Sequence, residues 1–226
     1  MTSLEQVLQK LEEIKVIAPT VTYSSYVALD LSIHNQELTN HNLTTSADFE
    51  NFIDNFLKQN KARVAYGGYN ETRNLYKRSQ VFNSTEQEER NIHIGLDLWT
   101  SADTPILAAL DGKIHSFQFN NQLGDYGPTI ILEHEIDNHR FYTLYGHLSL
   151  ESIQKISKGQ VVKKGEQIAT LGKASVNGDY APHLHFQIIK DIQDKEGDYP
   201  GVCSQNTLSF YLSNCPNPNL LLKINS

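Results

Sequence analysis

Residues 92–99 read Ile-His-Ile-Gly-Leu-Asp-Leu-Trp, and their alternation decides the fold class. With a period of two, Ile92, Ile94, Leu96 and Leu98 fall on one face, and His93, Gly95, Asp97 and Trp99 on the other. A helix would also bring His93 and Asp97 together, but strict alternation favours a strand. The apolar face anchors that strand in a core. The other face carries an imidazole and a carboxylate with a glycine between them, which leaves room for a group to approach the backbone. These are two potential metal ligands in need of a third. His183-Leu184-His185 supplies candidates, because residues i and i+2 of a strand share a face.

Beyond residue 91 the chain is a series of short apolar runs, at 105–110, 112–119, 129–134, 140–145, 160–162, 167–171 and 183–189. Turn signals separate them: Asp111-Gly112, Gly127-Pro128, Asp137-Asn138, Lys158-Gly159 and Lys164-Gly165. Closely spaced strands without helical crossovers predict an antiparallel, β-rich domain over 63–226. Upstream the pattern is mixed. Residues 3–18 read as an amphipathic helix with a Ser3/Gln6 capping box and Pro19 as its stop. Residues 20–33 alternate like a strand. A second helix is expected at 46–59, capped by Thr45 and Asp48, with Phe49, Phe52, Ile53, Phe56 and Leu57 as its buried stripe. The polar stretch 83–91 reads as a loop, and 204–213 as a short helix. The class is therefore α+β and β-rich, with a small N-terminal α/β accessory region, 1–62, ahead of the main domain.

Composition narrows the function. A chain of 226 residues with 39% hydrophobic content can build a substantial core. A net charge of −7 argues against nucleic acid as a partner, because phosphate affinity needs clustered Lys and Arg. No apolar run reaches the length of a membrane span. The first residues, Met1-Thr2-Ser3-Leu4-Glu5-Gln6, lack a basic start followed by an apolar run. The expected location is cytoplasmic, or periplasmic or extracellular if a leader has been removed. Cys203 and Cys215 match no close-spaced zinc motif, and two reduced thiols are the expectation in a cytoplasmic setting.

Histidines concentrate in the β-rich part. His115, His134 and His139 stand alone in strands and read as structural or exposed, and His34 and His41 read as surface residues. His93, His147, His183 and His185 differ because their contexts agree. A catalytic zinc needs three protein ligands and one open position for water. Two nitrogen donors and a carboxylate fill that role, and the remaining imidazoles can orient water, move protons and stabilise a tetrahedral intermediate.

Five separated segments in register carry a resemblance. They are His93-Ile94-Gly95-Leu96-Asp97, residues 104–114, Tyr145-Gly146-His147-Leu148-Ser149, residues 159–169, and Ala181-Pro182-His183-Leu184-His185-Phe186. Together they resemble the M23 family of zinc metallopeptidases, the lysostaphin-like or LytM-type domains. The resemblance implies an antiparallel sheet crossed by a groove, with one Zn2+ at its floor. It implies His93, Asp97 and His185 as the metal ligands, His147 and His183 as the non-ligand catalytic pair, and peptide bonds of peptidoglycan stem peptides or cross-bridges as substrate. Residues 66–73 loosely match a segment found upstream of the zinc motif in many relatives, which makes Arg73 a candidate groove residue or else a surface arginine in a turn.

The chain also departs from the pattern. Lysostaphin-like members place an oxyanion-stabilising tyrosine six residues before the first zinc histidine, where this chain has Gln87. Tyr66, Tyr69, Tyr126 and Tyr145 are the possible substitutes. The run 172–180 lacks the usual Thr-Gly turn, and Pro128 stands where many relatives have Asn. Residues 199–220 also resemble the M23-like domain of large intracellular enzymes with kinase-like and aminotransferase-like domains. The alternative function is accordingly an intracellular zinc-binding domain with a non-peptidase or regulatory role. A third reading comes from 159–172, which looks like the turn of a biotinyl- or lipoyl-type motif. Phosphocarrier domains of related architecture use paired histidines, but they carry no His-x-x-x-Asp pair.

Overall fold

Alternating apolar residues in 127–146 fold as two long strands joined by the tightest possible hairpin. Ile136 pairs with His139, and the two residues between them, Asp137 and Asn138, both take positive φ (50° and 63°). Two consecutive left-handed residues make a type I′ turn, whose twist matches that of the strands it joins. The computed structural model describes residues 2–41, 43–74 and 88–224.

In chain order the strands are β1 (Tyr26–Ala28), β2 (Val64–Gly67), β3 (Glu71–Thr72), β4 (Ile92–His93), β5 (Leu96–Trp99), β6 (Pro105–Leu107) and β7 (Gly112–Asn120). They continue as β8 (Gly127–Ile136), β9 (His139–Gly146), β10 (Val161–Val162), β11 (Gln167–Thr170), β12 (His183–Ile189) and β13 (Val202–Cys203). The α-helices are α1 (Leu4–Lys10), α2 (Ser46–Gln59), α3 (Leu208–Asn214) and α4 (Asn219–Leu222). One eight-stranded sheet, in the order β1-β2-β5-β12-β9-β8-β7-β10, dominates the fold. Its pairings are antiparallel except for β1 with β2, which is parallel. Two small sheets flank it, β11-β6 and β13-β4-β3. The expected β-rich architecture is what forms. The large sheet also crosses residue 62, because β1 from the N-terminal region adds to it beside β2.

Both faces of the sheet are covered at its centre, where β5, β12, β9 and β8 are largely buried on both sides. Ile130 and Leu132 of β8, Phe141 and Tyr145 of β9, and Leu184, Phe186 and Ile188 of β12 enter the main core. Ile131, Tyr142, Leu144 and Ile189 point the other way, into a second cluster with Ile92, Ile94, Tyr199, Cys203 and Cys215. Both cysteines are buried free thiols. A third cluster joins Phe49 and Ile53 of α2 to Leu29, Leu31, Ala65, Trp99 and Ala181. No helix among the described residues is long and apolar enough to cross a membrane.

Helix α2 forms over the expected residues, with its capping box on Thr45 and Asp48, and the helix expected at 204–213 forms as a 3-10 turn, Gln205–Thr207, followed by the shorter α3. The first helix is shorter than its periodicity predicts. Ser3 and Gln6 form the capping box, but the helix stops at Lys10. Residues 14–18 are drawn out instead against β6: Leu107 N–H donates to Val16 O at 2.9 Å, Ala18 N–H donates to Pro105 O at 2.9 Å, and Ile17 bridges Ile106. Tertiary pairing outweighs helix propensity there. Alternation over 20–33 likewise yields only β1, because Thr22, Ser24 and Ser25 bond locally and fold Tyr23–Ser25 as a 3-10 turn. Most of the expected loop at 83–91 lies outside the described residues.

The stretch 92–99 is not one continuous strand. It bends at Ile94-Gly95, so β4 joins the small sheet with β3 and β13 while β5 enters the large one. The apolar side chains divide at the same point, Ile92 and Ile94 into the second cluster and Leu96 and Leu98 into the main core. His93 and Asp97 sit on either side of this seam.

Candidate metal centre and active site

Strand register brings the site together. His185 is the cross-strand partner of Asp97, and His183 that of Trp99. On its other edge β12 pairs His185 with Gly146, the residue before His147. His93 reaches the same place from across the bend. All five of these His and Asp side chains are at most 6% exposed, on the sheet face opposite the main core. They line a cleft of about 270 Å³ together with Arg73, Trp99, Tyr126 and Tyr180.

Three ligand atoms form a nearly equilateral triangle. His93 Nε2 lies 2.9 Å from His185 Nδ1, His185 Nδ1 lies 3.2 Å from Asp97 Oδ1, and His93 Nε2 lies 3.3 Å from Asp97 Oδ1. No other cluster of potential metal ligands is found among the described residues. Tetrahedral zinc with bonds of about 2.0–2.1 Å sets neighbouring ligands about 3.3 Å apart, so the triangle fits that ion. The donor set, two imidazole nitrogens and one carboxylate oxygen, also suits zinc.

Each imidazole is fixed by its other nitrogen. His93 Nδ1–H donates to Gly68 O at 2.9 Å, which turns the Nε2 lone pair to the triangle. His185 Nε2–H donates to Gln187 Oε1 at 2.9 Å, which frees Nδ1. The Gln187 amide is oriented in turn because its Nε2 donates to Pro200 O at 3.1 Å. His183 Nδ1–H donates to Ala181 O at 2.7 Å, and His147 Nδ1–H to Asn177 O at 2.8 Å. These tautomers follow from the carbonyl acceptors. The free Nε2 of His183 lies 3.9 Å from Asp97 Oδ1. The rings of His147 and His183 lie against each other, with centroids 4.1 Å apart and planes tilted by 36°, and Trp99 stacks on His183 at 5.7 Å. His147 takes a left-handed backbone, φ 62°, that is uncommon outside glycine. Its N–H donates to Tyr126 O at 2.8 Å and its O accepts from Gly172 N–H at 2.9 Å, which holds that conformation.

Burial favours the neutral form of His93, His147 and His183. Burial holds His147 well below the usual imidazole range, and the adjacent His183 lowers it further. Burial also lowers His183, against the pull of Asp97. It takes His93 down to about 4. Burial alone would raise Asp97, but His93, Arg73 and His183 together hold it well below the ordinary carboxylate range.

Arg73 lies behind Asp97. It is 3% exposed, and its Nη1 donates to Asp97 Oδ2 at 2.6 Å. Of the four tyrosines considered as substitutes at position 87, Tyr126 lines the cleft. Tyr145 is buried with its hydroxyl on Ala109 N–H, Tyr69 donates to Cys215 O, and Tyr66 packs in the main core. Gln87 itself lies outside the described residues. Gln187 and Gly68 were not singled out by sequence. Gln187 carried a readable signal, since it stands two residues after His185 and so on the same strand face. Gly68 carried none, because its role depends on a carbonyl. His134 is a core residue, with Nδ1 on Asp111 O and Nε2 on Thr143 Oγ1. His115 is partly buried, His139 bonds Thr2 O at the surface, and His34 and His41 are exposed.

The family model described as Peptidase family M23 matches residues 91–197, the span that holds His93, Asp97, His147, His183 and His185. An uncharacterized metalloprotease of Haemophilus influenzae is 35% identical over 95 residues, 42% of this chain and 18% of that protein. The peptidoglycan DD-endopeptidase ShyB of Vibrio cholerae is 33% identical over 98 residues, 43% of this chain and 20% of that protein. The chain thus spans only about a fifth of the length of these two relatives. The lysostaphin catalytic domain of Staphylococcus simulans is 30% identical, with 54% of this chain and 80% of that one covered and a TM-score of 0.38. Lipoprotein NlpD of Yersinia enterocolitica is 32% identical over 92 residues, 41% of this chain but 84% of that protein. With a relative matched over most of its length and the family model laid across the whole site, the chain belongs to peptidase family M23.

Proposed function

We propose that this chain is a zinc-dependent endopeptidase that cleaves a peptide bond of peptidoglycan, in a stem peptide or a cross-bridge. One observation carries the reading: three buried donor atoms 2.9–3.3 Å apart, with two further imidazoles packed beside them in the same cleft. His93 Nε2, Asp97 Oδ1 and His185 Nδ1 would hold the ion. When bound, zinc supplies Lewis acidity, polarising a carbonyl and acidifying water near neutral pH. His147 and His183 do the proton work. Both are neutral at pH 7, and each has Nδ1–H fixed on a carbonyl, so Nε2 carries the free lone pair. One Nε2 takes the proton from the attacking water, and the imidazolium so formed returns that proton to the leaving amine, while the Nε2 of its neighbour accepts a hydrogen bond that orients the water. Trp99 and Tyr180 wall the pair and keep bulk water from the transfer. Such a substrate lies in the cell envelope, and lipoprotein is the printed name of two relatives, so we assign the chain to that side of the membrane rather than the cytoplasm.

The test combines metal analysis with cleavage. Protein dialysed at neutral pH should carry close to one zinc, and incubation with defined muropeptides should release new amines by mass spectrometry. His93→Ala should lose both metal and turnover, whereas His147→Ala should keep the metal and lose turnover. Wild-type protein without zinc, or zinc-loaded protein that opens no peptide bond, overturns the proposal.

A further inference from the structure

Asp97 has two carboxylate oxygens, and they face different things. Oδ1 is a vertex of the donor triangle, 3.2–3.3 Å from the nitrogens of His93 and His185. Oδ2 is turned away and accepts from Arg73 Nη1 at 2.6 Å. Arg73 is itself held on several sides. Its Nε donates to Glu71 Oε2 at 2.5 Å, its guanidinium carbon lies 5.6 Å from the centre of the Trp99 ring, and its backbone N–H donates to Asn91 O at 2.8 Å. Glu71 is the β-partner of His93 in the small sheet. The turn between β2 and β3 makes the space. Gly68 has φ 102°, and a Cβ there would lie 1.9 Å from Arg73 Nη2 and 2.9 Å from His93 Nδ1. One short segment, residues 68–73, therefore orients both ligands of the 92–99 stretch, His93 through a carbonyl and Asp97 through a guanidinium.

We infer that Arg73 is a positioning residue that occupies Asp97 Oδ2 and so limits Asp97 to a single metal-binding oxygen. The inference rests on the metal-site reading above. A free carboxylate can bind an ion through both oxygens and would then add a fifth donor beside the three protein ligands and the water of a catalytic zinc. With Oδ2 committed to a buried, charge-assisted hydrogen bond, only Oδ1 is available. The guanidinium also fixes the carboxylate before the ion arrives, so less rotational freedom is lost on binding. Arg73 contributes to the cleft wall, but at 3% exposure, with Nη1 on Asp97 and Nε on Glu71, it is assigned to the ligand rather than to the substrate.

The experiment uses the full chain loaded with Co2+, whose visible absorption reports coordination number, together with metal affinity from chelator competition. Wild type should show the intense bands of four-coordinate cobalt. Arg73→Met should show the weaker bands of five-coordinate cobalt and an affinity lower by about 10- to 100-fold, the usual cost of losing a ligand's supporting partner. Arg73→Lys, which can still donate to Oδ2, should keep the wild-type bands and most of the affinity. The inference is overturned if Arg73→Met keeps wild-type bands and affinity, with any loss of turnover then appearing as a raised KM, as expected for a substrate contact. It is equally overturned if Arg73→Lys folds but resembles Arg73→Met. Should Arg73→Met not fold, the lysine variant decides alone: wild-type bands support the inference and five-coordinate bands end it. Wild-type protein that binds no cobalt or zinc would instead sink the metal-site reading itself.

Discussion

Replacing Gly95 with alanine isolates how closely the site is packed. The backbone at this glycine lies outside the positive-φ region, so alanine meets no conformational penalty there and its effect is steric. A Cβ on Gly95 would lie 2.3 Å from His185 Cε1 and 2.4 Å from Nε2, roughly 1 Å short of the 3.4 Å at which ordinary contact begins. The methyl group therefore strikes the imidazole ligand rather than the metal. The ring has nowhere to retreat. Gln187 Oε1 lies 2.9 Å and the Tyr126 hydroxyl 3.3 Å from its Nε2, and Gly201 comes near enough that a Cβ there would lie 3.0 Å from its Cε1. A ring shift of ~1 Å is half of a zinc–nitrogen bond of about 2.0–2.1 Å. The ligand is then lost or badly misaligned, so metal affinity should fall by about 100-fold or more, at the upper end of what supporting residues are worth. That is about 3 kcal/mol of binding. The metal-free fold should lose less, about 1–3 kcal/mol of overpacking strain. Chelator competition measures the first quantity and urea denaturation in EDTA the second. A Gly95→Ala protein that binds zinc within threefold of wild type would refute the reasoning, because the imidazole would then not be confined as described.

Gln187→Leu should lower metal affinity about 10- to 100-fold in the same competition assay, while Gln187→Glu, which keeps an acceptor for His185 Nε2–H, should lose much less. Equal losses in the two variants would show that packing, not the hydrogen bond, supports His185. His134 offers a pH test away from the metal. Burial lowers its pKa to about 4, below the unfolded value of 6.5, so the unfolded chain binds the extra proton and stability is lost as pH falls from 6.5 towards 4. The slope is up to about 1.4 kcal/mol per pH unit. His134→Asn keeps a donor for Asp111 O but removes that titration, so its stability measured by denaturant should fall less steeply over this window. An unchanged slope would mean that His134 is not held neutral.

Most of the candidate donor set was legible in sequence because strands obey a parity rule. Asp97, His183 and His185 follow from alternation, which the register opposing His185 to Asp97 bears out in β5 and β12, whereas His93 joins them through the resemblance. Parity could not reveal that the stretch bends. Ile94 is as apolar as Leu96, and nothing in one sequence says that they enter different cores. The first helix misled for the converse reason. Ile14 and Ile17 keep helical spacing with Leu4 and Leu8, yet they are buried by pairing beside β6. Contacts made by backbone atoms were invisible altogether. Gly68 O, Ala181 O and Asn177 O set the tautomers of three histidines, and an amide carbonyl leaves no trace in residue identity.

On the proposed metal-site reading, the bend at Ile94-Gly95 explains why the ligands need a second ring of partners. Had 92–99 run straight, His93 and Asp97 would have stood on one pleated face of one sheet, about 13 Å apart along the strand at four residues of ~3.3 Å each. No single ion could then bind both. The break lets β4 leave the plane and carries His93 back over Asp97, to 3.3 Å. The same break removes the regular ladder at the point where two ligands must be held still. Gly68 O and Arg73 restore that rigidity from outside the strand, and Gln187 does so for the third ligand. On this view the segment 66–73 is as much a part of the metal centre as the ligands, and substitutions in it should register in metal binding before they register in folding.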